Sequence, residues 1–212
     1  MQLSFTKMNG AGNDFVNGGL GNDTYYVSSK GDVISESGGG GIDTVNAKLS
    51  WTLGTGFNNL TLIGTASYSG TGTDSDNVII GNVGRNKIDG KAGDDVITGG
   101  AGNDTMTGGT GADDFVFTSA SSGNDTITDF NAVDGGSAEG DMLVFEGLEV
   151  GTFVYRGSSA FTGGSNNSEA RYDTTTKKLL IDVDGDGSAD FILTLTGMDS
   201  AGEITSGMFD WS

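Results

Sequence analysis

The chain has 212 residues, and its 29 Asp and Glu against 10 Lys and Arg set a formal net charge of −19. That balance offers no basic stripe for a phosphate backbone and is repelled by anionic lipid, which excludes nucleic acid and acidic membrane surfaces as partners. Cys, His and Pro are absent while Gly occurs 39 times, so disulfides, thiolate nucleophiles, zinc–thiolate sites and histidine-based triads are excluded together.

No apolar run reaches membrane-span length, and no signal-peptide core stands at the N-terminus, so an export address is expected elsewhere. So much like charge leaves a compact chain under self-repulsion unless cations neutralise it. The Val, Ile, Leu and Phe content argues against disorder over most of the length.

In chain order, the first block places Gly10, Gly12 and Asp14 nine residues ahead of Gly19, Gly21 and Asp23, with Val16 and Tyr25 as the apolar member of each unit. Lys7 to Phe15 is similar to the start of diaminopimelate epimerases, but that enzyme works with two cysteines and this chain has none. The nine-residue phase accounts for the same residues. From about Val27 to Gly70 the spacing loosens into short strands, DVISE, DTVNAKL and NNLTLIG, between Gly/Ser turns.

Five nonapeptides then run without a gap from Gly72 to Val116: GTDSDNVII, GNVGRNKID, GKAGDDVIT, GGAGNDTMT and GGTGADDFV. Position one holds Gly72, Gly81, Gly90, Gly99 and Gly108, and Gly100 and Gly109 follow it in the last two units. Position four holds Ser75, Gly84, Gly93, Gly102 and Gly111. Position six holds Asn77, Asn86, Asp95, Asp104 and Asp113, and position eight is always apolar: Ile79, Ile88, Ile97, Met106 and Phe115. Past Val116 the phase breaks. Gly123 to Phe130 reads as one more turn carrying Asp125, and strand-like segments MLVFEG, TFVYRG, EARYD, KLLIDV and FILTLTG follow a loop. No stretch predicts a helix. Three segments are expected: irregular turns over residues 1–71, a regular roll over 72–130 and a β cap over 131–212.

The repeat has a chemical reading. Glycine permits tight turning in the first half of each unit, and the second half forms a very short strand with one inward apolar side chain. Two units complete one coil, and coils stack at about 4.8 Å. Asp95 and Asp113, with Asn77, then share one edge, and Asp104 and Asn86 share the other. Carboxylates about 5 Å apart repel by roughly 3 kcal/mol per pair at an effective dielectric near 20. A hard cation reverses that sign. Ca²⁺ takes roughly six to eight oxygens, which carboxylates and turn carbonyls supply, whereas Mg²⁺ dehydrates reluctantly. Several Ca²⁺ ions are therefore expected at Gly10, Gly12, Asp14, Gly19, Gly21 and Asp23, at Asn77 and Asn86, and at Gly90, Gly93 and Asp95. The same holds for Gly99, Gly100, Gly102 and Asp104, for Gly108, Gly109, Gly111 and Asp113, and for Asp125. The alternative is a solvated Gly/Asp turn repeat without metal.

Asp182, Asp184, Asp186 and Asp190 occupy places one, three, five and nine of an EF-hand-type loop, with Gly187 at six. Leu193 stands at twelve, where that loop carries a bidentate Glu. The segment is either a Ca²⁺ site on a strand–loop–strand hairpin or a solvated acidic turn.

These residues resemble the RTX (repeats-in-toxin, haemolysin-type) family, and Gly99 to Val116 matches its nonapeptide almost letter for letter. The resemblance implies an all-β fold, a parallel β-roll with Ca²⁺ in its turns and a C-terminal β-strand cap. It also implies export by a type I secretion apparatus through an uncleaved C-terminal signal, hence an extracellular location. The sequence departs from the family at Ser75, Asn77, Asn86 and Lys91. Phe153 to Trp211 is similar to the region after the roll in serralysin-type RTX proteins, through YRGSSAFTGG, EARYD and DVDGDGSADFILTLTG. Phe209 and Trp211 suit a packed last strand or a secretion signal.

No G-x-S-x-G elbow occurs. Outside the turns, Glu36, Glu139, Glu146, Glu149, Glu169 and Glu203 show no spacing that singles out an acid/base pair. The expectation is a non-enzymatic calcium-binding roll that folds after export. One alternative is a C-terminal module of a larger extracellular enzyme, a serralysin-like protease, a lipase or a polysaccharide-modifying enzyme, which the entry into a repeat at Asn9 favours. Another is a surface or matrix protein that binds extracellular polysaccharide through Trp51, Tyr25, Tyr26 and Tyr68.

Overall fold

The computed structural model describes residues 6–8, 12–37, 40–118, 123–131, 140–147, 154–162, 167–198, 204 and 206–211. Strands too short to bury anything alone alternate between two facing walls. One wall is parallel throughout, in the order β1 (Thr6–Met8), β3 (Thr24–Val27), β5 (Thr44–Ala47), β7 (Asn59–Leu62), β9 (Val78–Ile80), β11 (Val96–Thr98), β13 (Asp114–Phe117), β15 (Met142–Phe145) and β20 (Phe209–Trp211). The facing wall runs β6 (Trp51–Thr52), β8 (Ser69–Thr71), β10 (Lys87–Ala92), β12 (Thr105–Thr110) and β14 (Asn124–Ile127), all parallel. It continues into β19 (Phe191–Leu195), β18 (Lys178–Asp182), β17 (Glu169–Asp173) and β16 (Val154–Tyr155). β2 (Phe15–Asn17) and β4 (Val33–Ser35) form a separate parallel pair. No described helix is long and apolar enough to cross a membrane.

The register carries the repeat into three dimensions. Val96 stands opposite Val78 and Asp114, and Lys87 opposite Ser69 and Thr105. Residues 18 apart are thus stacked, as two nonapeptides per coil require. Elsewhere the coil stretches or shrinks in its turns while the strands stay paired: the step is 20 residues from Asp23 to Asp43, 15 from Asp43 to Asn58 and 28 from Asp113 to Asp141.

The apolar column fills the space between the walls. Ile79, Ile97 and Phe115 from one wall and Ile88 and Met106 from the other have no solvent exposure, and Tyr25, Val45, Leu60 and Leu143 extend the column in both directions. Each such side chain contributes about 1.5–3 kcal/mol of transfer free energy. Val16 is only half-buried, because β2 belongs to the separate pair. All five strand-like segments after the repeats form strands, β15 to β19. β17, β18 and β19 make an antiparallel meander whose last strand pairs in parallel with β14, while β20 pairs with β15. Both walls are extended at that end by cap strands, which covers edges that otherwise invite association. Phe117, Phe145, Phe191 and Phe209 pack beneath the cap, with ring centroids 5.3 to 6.4 Å apart.

In the last three units of the regular repeat the backbone is left-handed at position two as well as at the position-four glycines. Gly100 and Gly109 have φ of 92° and 116°, and Lys91 adopts 95° in the same place. A β-carbon there costs about 1–2 kcal/mol, and the ion pair of Lys91 Nζ with Asp89 at 3.0 Å is too exposed to offset it. Lys91→Gly should therefore stabilise the folded roll by about 1 kcal/mol, the left-handed strain less the added chain entropy of glycine. Urea unfolding at saturating calcium checks this; an unchanged or lower midpoint contradicts it.

Candidate metal centre

The turns between the walls are joined from coil to coil by one recurring hydrogen bond. The backbone N–H of Asn77 donates to Asp95 Oδ1 at 2.7 Å, that of Asp95 to Asp113 Oδ1 at 2.9 Å, and that of Asp113 to Asp141 Oδ1 at 3.2 Å. The opposite edge repeats this from Asn86 to Asp104 at 2.7 Å and from Asp104 to Asp125 at 2.8 Å. In the first coils Asp23 donates to Asp43, Asp43 to Asn58 and Asp14 to Asp32. The edge assignment expected for Asn77, Asp95, Asp113, Asn86 and Asp104 thus matches the stacking.

One carboxylate oxygen is spent on each rung; the other poses the chemical problem. Oδ2 of Asp14, Asp95, Asp104 and Asp125 is buried with no hydrogen-bond partner. Asp95, Asp104 and Asp125 are themselves 1% exposed. Burial raises Asp95 and Asp125 to about 7 and Asp104 to about 6, and neighbouring carboxylates add to the rise at Asp95 and Asp125. Asp113 and Asp43 are raised too, again chiefly by burial. The ion pairs Lys91–Asp89 and Arg156–Glu169 touch none of these groups.

Asparagine solves the same problem internally. Asn77 uses Oδ1 to accept from Thr73 N–H, and its Nδ2 donates to the carbonyls of Asn58 and Asp76 at 3.0 and 3.1 Å. Asn86 Nδ2 donates to the carbonyl of Tyr68 at 3.2 Å. In the Asn turns the oxygen facing the position-one glycine accepts the position-two N–H, from Thr73 to Asn77 and from Asn82 to Asn86. In the turns of Asp95 and Asp104, Oδ2 stands at that place with no donor, and the group that satisfies an unpaired carboxylate oxygen is a cation.

The glycines bring those oxygens together. A β-carbon on Gly90 would stand 2.6 Å from the Gly108 carbonyl oxygen and against Asp95 Oδ2, and one on Gly99 would stand 2.7 Å from Asp104 Oδ2. Gly108 is crowded in the same way by Asp113. Gly12, Gly19, Gly21, Gly93, Gly100, Gly102, Gly109 and Gly111 have positive φ and form the turns themselves. Gly10 lies outside the described residues, as do Glu139, Glu149 and Glu203. The donor set of hard oxygens, carboxylate and carbonyl, with no sulfur or imidazole, fits Ca²⁺.

Besides the rungs, acidic side chains converge in two places. Ligand-capable oxygens of Asp23, Glu36 and Asp43 lie within 4.8 Å of one another. Glu36 accepts hydrogen bonds from Tyr25 Oη and from Gly19 N–H, and its pKa is raised, first by burial. Asp182, Asp184 and Asp190 form the second group, on the hairpin between β18 and β19. Asp182 is fully buried, and its two oxygens accept from Gly185 and Gly187 N–H at 2.7 and 2.8 Å. Asp186 lies outside that oxygen cluster and caps Ser188 N–H.

Sequence reasoning missed Asp32, Asp43 and Asp141 in the ladder, although each keeps the Asp-x-apolar signature, in Asp32-Val-Ile34, Asp43-Thr-Val45 and Asp141-Met-Leu143. Counting nines hid Asp43 and Asp141, since their turns have other lengths, whereas Asp32 keeps the 18-residue step from Asp14 and was overlooked in phase. Asp129 was missed as well; it accepts from Gly108 and Gly109 N–H at 3.0 and 2.9 Å. Glu36 had no signal at all. Among the remaining glutamates, Glu169 is buried and held by Thr162 N–H and Oγ1.

Comparison with known proteins agrees with this geometry. A family model of the RTX calcium-binding nonapeptide repeat matches in four copies, over residues 10–33, 71–106 and 80–115. The chain is also similar to the endo-1,3-1,4-beta-glycanase ExsH of Rhizobium meliloti (strain 1021), 40% identical over 67 residues. That stretch is 32% of this chain and 14% of the glycanase, so the likeness spans a small part of the relative's length.

Two outcomes are expected. In calcium-free protein, the folded state retains protons on Asp95, Asp104, Asp125 and Asp141 that an unfolded chain releases above 3.8. The resulting destabilisation is absent below about pH 4, grows as pH rises to about 7 and is complete above that. Circular dichroism without calcium should show more sheet near pH 5 than near pH 8, and a flat or reversed profile contradicts the ladder's energetics. Asn77→Asp replaces a satisfied amide by an orphan oxygen. It should destabilise the calcium-free compact form by about 1–3 kcal/mol and raise the calcium needed for folding, which a calcium titration followed by tryptophan fluorescence reads directly.

Proposed function

We propose that this chain, an RTX β-roll protein, is a calcium-driven folding module: closed by Ca²⁺ outside the cell, open while calcium is scarce. The orphaned Oδ2 atoms of Asp95, Asp104 and Asp125 carry this reading. Ions follow the ladder carboxylates, with Asp95 and Asp113, Asp104 and Asp125, and Asp23 and Asp43 as ligand pairs. Glycine carbonyls complete each shell. Asn77 and Asn86 satisfy their own turns, each Oδ1 accepting a backbone N–H and each Nδ2 donating to a carbonyl. The Asp182–Asp190 loop already saturates its buried carboxylate with backbone donors, and the reading puts ions on the ladder first.

Each bound ion stabilises the folded state by its binding free energy, about 2.7 kcal/mol per site at a hundredfold excess over Kd. A chain whose acidic turns stay apart in calcium-poor cytosol suits passage through a type I secretion channel and closure in the extracellular medium. A second reading is favoured by the likeness to a glycanase: the roll accompanies extracellular glycan chemistry, as an appended module or a glycan-binding protein.

The test combines far-UV circular dichroism and solution scattering in excess EGTA and then in millimolar calcium, with calorimetric counting of ions. Expected are an expanded, sheet-poor chain without calcium and a compact one binding at least two ions with it. Asp95→Asn together with Asp113→Asn should lower the ion count. A compact sheet unchanged by EGTA would overturn the proposal.

A further inference from the structure

One edge of the roll holds a cleft that the calcium ladder leaves unused. Where the carboxylates Asp23 and Asp43 give way to the amides Asn58 and Asn77, three successive turns of unequal length stand apart and enclose a cavity of about 390 Å³. Its walls carry Glu36, Gly41, Thr55, Asn58, Thr73 and Asp74, and Phe57 forms part of the lining. Thr55 and Asp74 are exposed, and Glu36 is half-buried. The volume lies at the lower end of the range for small-molecule sites, roughly 300–1,000 Å³, and is far larger than one ion needs. The rungs beside it are neutral amides, one of which donates its N–H to a carbonyl, so the site lacks the paired ladder carboxylates found elsewhere.

We propose that this cleft binds one unit of a neutral glycan chain through its hydroxyl groups. Carboxylates accept paired hydroxyl donors through charge-assisted hydrogen bonds, and Glu36 and Asp74 offer two such acceptors. Thr55 and Thr73 add hydroxyls on the same wall. Two acidic walls on a chain of net charge −19 repel uronate, sulfate and phosphate. Phe57 packs T-shaped against Tyr25 with ring centroids 5.3 Å apart and is only 5% exposed, so a basic side chain would be held by the carboxylates alone, without a cation–π contact, and that occupant is an outcome of the test. The inference rests on the glycan-linked reading above.

Amide nuclear magnetic resonance of the full chain at saturating calcium tests it, with cellotetraose, tetragalacturonate and tetralysine as probes. Cellotetraose should shift Gly40, Gly41, Gly56, Asn58 and Thr73 to Ser75, and Asp74→Ala should weaken that response at least fivefold while the calcium count stays unchanged. Tetragalacturonate and tetralysine should leave these signals in place. A stronger response to either charged probe, or no response to cellotetraose, overturns the cleft assignment. Shifts from cellotetraose confined to other residues overturn it too but leave the glycan-linked reading standing.

Discussion

The rung from a backbone N–H to the Asp or Asn oxygen one coil later is the constraint on which the molecule depends. It recurs on both edges, at 2.7 to 3.2 Å, between coils whose turns differ widely in length. Where the side chain is Asp the rung takes one oxygen and leaves the second, in Asp95, Asp104 and Asp125, buried without a donor. Asn77 and Asn86 instead face the coil before with Nδ2, which donates to its carbonyls, while Oδ1 accepts a backbone N–H of their own turn. The repeat thus carries a binary choice at one position: a turn that closes by itself, or one that closes around a cation.

The two contributions to stability are divided in space. The interior column of Ile, Met and Phe is fully buried and conventional, so the walls gain burial energy once they face one another. The rims carry the electrostatic cost, because burying unpaired carboxylates in the turns opposes the same closure. A chain built this way stays poised, with its core favouring the fold and its rims opposing it until charge is supplied from outside.

Much of this was legible in the sequence. The strict nine-residue phase from Gly72 to Val116 gave the wall assignment, the apolar column and the pairing of residues 18 apart, because side-chain direction and coil length both follow from the period. The strands of the cap were readable as apolar runs, though their meander and its docking on β14 were not, since pairing partners far apart in the chain leave no local trace. Asp43 and Asp141 escaped because a ladder is defined by what stacks, and a turn of 15, 20 or 28 residues stacks as well as one of 18. Asp32, 18 residues after Asp14, kept the phase and was legible there. The left-handed backbone at Lys91 was visible only as a departure from glycine, and its φ gives that departure a physical meaning.

The elastic turns have an architectural consequence. Between β15 and β20, neighbours in one wall, the chain leaves, builds β16 to β19 on the other wall and returns to pair in parallel as though nothing intervened. A fold that accepts so long an excursion in a single turn can acquire new elements by insertion at its rim, with the apolar interior left intact. Novelty in such a scaffold collects along its two edges, where length is unconstrained and each added loop is presented to the surroundings.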